Sequence, residues 1–178
     1  MFMKIALLGM SMVGKTTLAQ KIAQHFNILH LDTDYFIEQK NNTSIQTFFA
    51  QQGEAHFRRL EHQALKDILH EFEKQNFILS CGGGLPCFYD NMQILNAHTH
   101  TIYLDAPLYF FELQLERNPD WKNRPLLQHN ENPLQAIQTL MEKRKPFYEQ
   151  AHYIQKVDLD IEVTFQNLVH YLNTLQSP

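Results

Sequence analysis

Near the amino terminus the chain reads "GMSMVGKT", Gly9 to Thr16, with the spacing G-x-x-x-x-G-K-[ST]. In this pattern the glycines let backbone N–H groups close around phosphate oxygens, and the helix that follows adds positive potential from its first turn. Lys15 then reaches the terminal phosphates, and the Thr16 hydroxyl is a ligand for Mg²⁺. The expected cradle runs through Gly9, Met10, Ser11, Met12, Val13, Gly14, Lys15, Thr16 and Thr17. A chance glycine turn before a helix gives the same letters, so the flanking elements must decide. Asp32 closes the next apolar run, where a carboxylate can hold Mg²⁺ through water. Asp34, two residues on, either faces the same crevice or caps a helix.

Further along, "FRRLE" puts Arg58 and Glu61 at i and i+3, so the glutamate can hold the guanidinium in one orientation. The same spacing also describes an ordinary solvated helix pair. Arg124 lies in the polar, proline-broken stretch "NPDWKNRPLLQHNENP" (118–133), which has the character of a lid. Arg144 precedes Pro146, a residue expected to bend or end its helix. "LSCGGGLP" places Gly82, Gly83 and Gly84 together in a chain with only 6 glycines. A tight turn explains one glycine; three imply a backbone that something must approach closely.

The elements that must position these residues follow from periodicity. Apolar runs at 3–9, 28–32, 77–81 and 99–105, with a weaker one at 153–159, read as buried strands. Helical spacing covers 15–26, 34–41, 44–51 (opening at Ser44), about 53–73, 88–96, 107–117, 133–151 and 161–175. Strands alternating with helices imply right-handed crossovers and a parallel sheet with helices on both faces. A strand before Gly9 and a helix after Thr16 are what a phosphate cradle requires.

With 178 residues the chain is expected to form one domain. A net charge of −4 argues against a nucleic-acid partner, which calls for a basic patch. No window is apolar enough to span a membrane, and the opening "MFMKIALLGM" reads as the first strand rather than a leader, so a cytoplasmic protein is expected. Cys81 and Cys87 are too few for a disulfide framework. His98 and His100 have no ligand cluster beside them and read as structural.

The succession "GKT", "LDTD", "FRRLE", "GGG", "RPLL" and "KRKPFY", at these distances, resembles shikimate kinase from residue 4 to about 158. The first motif is shared by many families; the combination of the others is much narrower. The resemblance implies a P-loop kinase fold, a five-stranded parallel sheet in the order 2-3-1-4-5. It implies ATP and shikimate as substrates, with Mg²⁺, and transfer of the γ-phosphoryl group to the 3-hydroxyl in aromatic amino acid biosynthesis. By position, Asp34 contacts the ring hydroxyls, Arg58 and Arg144 hold the carboxylate, and the backbone of Gly82, Gly83 and Gly84 lies against the ring. Arg124 reaches over both substrates, and Arg117 stands where the family stacks a residue on adenine. Residues about 33–61 form the shikimate-binding segment, and the protein is expected to be a monomer. Gluconate kinase, or a non-catalytic kinase-like module, are the alternatives. The family has a glycine where this chain has Met12. Methionine tolerates positive φ poorly, so the loop is expected to take a negative φ there, with the side chain turned from the phosphates.

Overall fold

In the computed structural model of the chain, the residues described are 3–118, 121, 127 and 131–176. The first apolar run becomes β1 (Lys4–Leu8), which ends as the backbone turns at Gly9 into the loop before α1 (Lys15–Phe26). β2 (Leu29–Asp32), β3 (Phe77–Ser80), β4 (His100–Asp105) and β5 (Tyr153–Lys156) join it in the order β2-β3-β1-β4-β5. Every pairing is parallel. This is the expected topology. Because all strands run one way, their C-terminal ends share an edge: Asp32 is level with Ser80, and Ser80 with Leu7.

Between the strands lie α2 (Thr33–Asn41), α3 (Ile45–Glu71), α4 (Asn91–His98), α5 (Leu108–Arg117) and α6 (Pro133–Tyr148), and α7 (Ile161–Gln176) follows β5. The main core fills both faces of the sheet, with Ile5, Leu7, Leu18, Leu65 and Ile78 at most 1% exposed. A second, small cluster of Ile37, Phe48, Phe57 and Ala64 sits between α2 and α3.

Several expected boundaries move. The division expected between 44–51 and about 53–73 does fall where it was placed: α3 is two helical stretches that meet at Gly53, whose φ 75 and ψ 172 are not helical. Ser44 caps α3, accepting from the Thr47 N–H at 3.2 Å. The helix expected at 88–96 starts at Asn91, after a 3₁₀ turn over Leu85–Cys87 and a left-handed Tyr89 at φ 53. Helix α6 runs through Pro146 to Tyr148. Pro146 and Glu142, whose carbonyl loses its partner, are both exposed, so water can serve that carbonyl. β5 stops at Lys156 because the Asp158 N–H turns to the Thr164 hydroxyl at 2.9 Å, closing the turn into α7.

Candidate active site

The loop between β1 and α1 supplies the cradle. Gly9 (φ 138) and Gly14 (φ 94) are left-handed, and a Cβ on Gly9 would stand 2.8 Å from the Leu104 carbonyl oxygen. Met12 also has positive φ, 71, which corrects the negative value expected of it. The loop holds the left-handed turn that the family meets with glycine, and its closure over α1 leaves the methionine to bear the strain. Lys15 reaches back, donating to the Gly9 and Met10 carbonyls at 2.9 and 2.8 Å.

Asp32 does two jobs. One oxygen accepts from the N–H groups of Asp34 (3.0 Å) and Tyr35 (3.3 Å), capping α2; the other accepts from the Thr16 hydroxyl at 3.1 Å. Capping is thus assigned to Asp32, and Asp34 is left to face the crevice. Thr16 and Asp32 line a cavity of about 340 Å³ with Lys15, Thr17, Gln114 and Asn118. A hydroxyl and a carboxylate are hard oxygen donors, and Mg²⁺ commonly takes few protein ligands beside phosphate and water. The pair fits that ion. Among the described residues there is no group of three or more His, Cys, Asp or Glu placed to hold a metal.

A second cavity, about 350 Å³, opens between α3, α6 and the glycine triplet. Arg58 is 4% and Glu61 1% exposed. Arg58 donates from Nη1 to Glu61, and from Nε and Nη2 to one oxygen of Glu54, at 3.1 and 2.7 Å. The Phe88 ring lies 4.5 Å from the guanidinium. Burial pushes the Glu61 carboxyl up to about 7, against the pull of Arg58. The solvated-pair reading of Arg58 and Glu61 is thereby excluded. Arg144, 6% exposed, lines the same cavity from α6.

The triplet's small size has a specific cause. None of its members has positive φ. A Cβ on Gly82 would stand 2.7 Å from Asp34 Oδ1 and 2.8 Å from Glu61 Oε1; on Gly84, 2.5 Å from Arg58 Nη1; on Gly83, 3.1 Å from Arg144 Nη1. The sequence reading had the space taken by a ligand ring. The atoms that claim it first are the protein's own carboxylates and guanidinium groups.

Ser11, Asp34, Gly82 and Gly83 line both cavities, so the phosphate cradle and the arginine-lined pocket share a wall. Of the expected residues, Ser11 to Thr17 and Asp32 line one side, and Met10, Arg58, Glu61, Gly84 and Arg144 the other, while Gly9 forms the turn behind the cradle and lines neither. Arg117 sits exposed at the end of α5, while Gln114 and Asn118 from the same region face the nucleotide side. Arg124 and most of the stretch 118–133 lie outside the described residues. Sequence reasoning missed Glu54, whose i, i+4 spacing to Arg58 was legible, and Tyr148, which donates to the Gly83 carbonyl oxygen.

A parallel 2-3-1-4-5 sheet with this cradle at its C-terminal edge defines a kinase of the P-loop class. A family profile described as shikimate kinase matches residues 11–173. The chain is 37% identical over 180 residues to the shikimate kinase of Bacteroides fragilis, with 96% of each covered. It is 36% identical over 149 residues to that of Aquifex aeolicus, covering 84% of this chain and 83% of the relative. The crystal structure of the Bacteroides thetaiotaomicron shikimate kinase matches with a TM-score of 0.86 at 35% identity, over 96% of this chain and 98% of that one. That of Acinetobacter baumannii, in complex with shikimate, matches at 0.84 and 31% identity, over 98% and 96%. The chain belongs to the shikimate kinase family.

Proposed function

We propose that the protein transfers the γ-phosphoryl group of ATP to the 3-hydroxyl of shikimate, giving shikimate 3-phosphate and ADP in aromatic amino acid biosynthesis. The observation that carries this reading is the wall shared by two cavities, one a phosphate cradle and the other holding two buried arginines. Arg58 and Arg144 take the acceptor carboxylate, a contact whose paired hydrogen bonds fix the ring's register. Asp34, on the wall, orients the 3-hydroxyl and accepts its proton, while Lys15 and the cradle N–H groups stabilise charge on the transferring group. Thr16, and Asp32 through water, would hold Mg²⁺, which supplies charge neutralisation at the phosphates when bound. Arg124 serves both substrates, and Arg117 packs on the adenine.

The chain acts as one kinase domain, monomeric and cytoplasmic, with residues 33–61 as its acceptor-binding segment. That segment carries most of the small separate cluster formed by Ile37, Phe48, Phe57 and Ala64. No helix among the described residues is long and apolar enough to cross a membrane. A coupled ADP-release assay with shikimate, gluconate and AMP tests the reading. Turnover with shikimate alone is expected. Turnover with gluconate instead would reassign the acceptor, and none with any of the three would make the protein a non-catalytic module.

A further inference from the structure

Tyr148 ends α6 at 1% exposure, where a phenylalanine would fill the same space without a polar atom to bury. Its hydroxyl has a use. It donates to the carbonyl oxygen of Gly83, with Met10 Sδ of the cradle 3.9 Å away. Arg144 lies four residues earlier on the same helical face, and its Nη1 comes within 3.1 Å of where a Cβ on Gly83 would stand, beside the peptide that Tyr148 holds. One buried oxygen therefore joins the cradle, the glycine triplet and the helix that carries an acceptor arginine.

The triplet needs such an anchor. The carbonyls of Gly82 and Gly84 are closed locally, by the N–H groups of Leu85 at 3.0 Å and Cys87 at 2.9 Å. The Gly83 carbonyl is held from a different element, by Tyr148. Glycine has no side chain to fix its peptide planes and the widest backbone freedom of any residue. A trans peptide points its C=O and the next N–H in opposite directions, so holding the Gly83 carbonyl also sets the Gly84 N–H. Gly83 lines both cavities, and this peptide is part of the wall between them.

We propose that Tyr148 is a positioning residue for the phosphoryl acceptor: its hydroxyl pins the Gly83–Gly84 peptide beside Arg144, fixing the carboxylate clamp against the cradle. This rests on the reading of the arginine-lined cavity as the shikimate site. The Tyr148 ring packs on Tyr103 with centroids 5.1 Å apart, and Tyr103 in turn donates to Asp105 at 3.1 Å. Tyr103 thus supplies a control with the same packing and no contact with the triplet.

The test is Tyr148→Phe beside Tyr103→Phe, with both substrates varied in steady-state kinetics. Losing a buried hydrogen bond should raise the KM for shikimate by about 5- to 30-fold in Tyr148→Phe, with the KM for ATP within about twofold and kcat within about threefold. Tyr103→Phe should leave the shikimate KM within about twofold. In the ligand-free Tyr148→Phe protein, the Gly83 carbonyl carbon resonance should move. An unchanged shikimate KM, an equal rise for both substrates, or the same rise in Tyr103→Phe would reduce Tyr148 to a core residue. If the wild-type protein turns over no shikimate, the functional reading falls by itself. The anchor is then judged in the ligand-free protein, where an unmoved Gly83 resonance overturns it.

Discussion

Met12 carries a left-handed backbone, φ 71, on a side chain with a Cβ, and the strain of that conformation is about 1–2 kcal/mol. Met12→Gly removes this strain but frees the unfolded chain by roughly 0.5–1 kcal/mol, so stability should stay level or rise by up to about 1.5 kcal/mol. Urea unfolding midpoints measure it; a clear loss would mean that packing of the methionine outweighs its strain. At the acceptor arginines the expectation is larger. Arg58→Ala and Arg144→Ala should each weaken shikimate binding by about 2–4 kcal/mol, or roughly 30- to 1000-fold, and leave ATP binding nearly intact. Calorimetric titration of both ligands decides this, and unchanged shikimate affinity in both variants would remove the acceptor assignment. Glu61 gives a pH signature. Its folded pKa is raised from 4.5 to about 7, so its contribution to stability is complete below about pH 4.5 and lost as pH rises through about 7. The size is on the order of 3 kcal/mol. His30 and His100, both lowered chiefly by burial, act oppositely, adding stability as pH rises toward 6.5. The comparison of wild type with Glu61→Gln isolates the glutamate: between pH 5 and pH 8 the variant should lose less stability than wild type. Parallel profiles would show that Glu61 stays ionised throughout.

The turn after β3 joins chemistry to architecture, since each glycine there faces a charged side chain from another element. Gly84→Ala puts a methyl 2.5 Å from Arg58 Nη1 and 2.7 Å from its Cζ. The guanidinium is held on its other edges by Glu54 and Glu61 and cannot slide freely. Gly84→Ala should therefore cost at least about 30-fold in shikimate affinity, as removing a partner from a buried charge pair does. The circular dichroism spectrum should stay unchanged, because φ at this position is −89 and suits any residue. Binding within a few-fold of wild type would mean that Arg58 can move aside. The strands and the cradle were legible because apolar runs report buried strands directly and the cradle has its own spacing, whereas the strand order came only with the family resemblance. The division of labour between Asp32 and Asp34 was not, since a separation of two residues leaves either able to cap; it took the N–H groups of Asp34 and Tyr35 to show which one does. Tyr148 was illegible for another reason. In a helix of mixed residues a tyrosine reads as core, and its hydroxyl acquires meaning only when tertiary packing brings Gly83 to it, 65 positions away in sequence. The passage of α6 through Pro146 likewise depends on which face meets solvent, whereas the break at Gly53 was legible from the two separate helical stretches.

For the whole molecule, ligand binding to the folded state alone should appear as added stability. A nucleotide analogue at a hundred times its Kd contributes about 2.7 kcal/mol, which for a domain of 178 residues is roughly 5–10 °C in Tm. If Thr16 and Asp32 hold Mg²⁺ beside the phosphates, chelation with EDTA should shrink the nucleotide's shift and leave the shift from shikimate alone unaltered. A nucleotide shift indifferent to EDTA would remove the metal assignment. The wall formed by Ser11, Asp34, Gly82 and Gly83 has a consequence for inhibition. Two ligands that meet across it can be joined covalently with almost no spacer, and a spacer that short gives the second half an effective concentration of order millimolar or more. A bisubstrate compound, nucleotide at one end and cyclic carboxylate at the other, would then approach the combined affinity of its halves. Escape would be hard: a substitution in the wall that excluded the joined compound would also disturb the meeting point of both natural substrates.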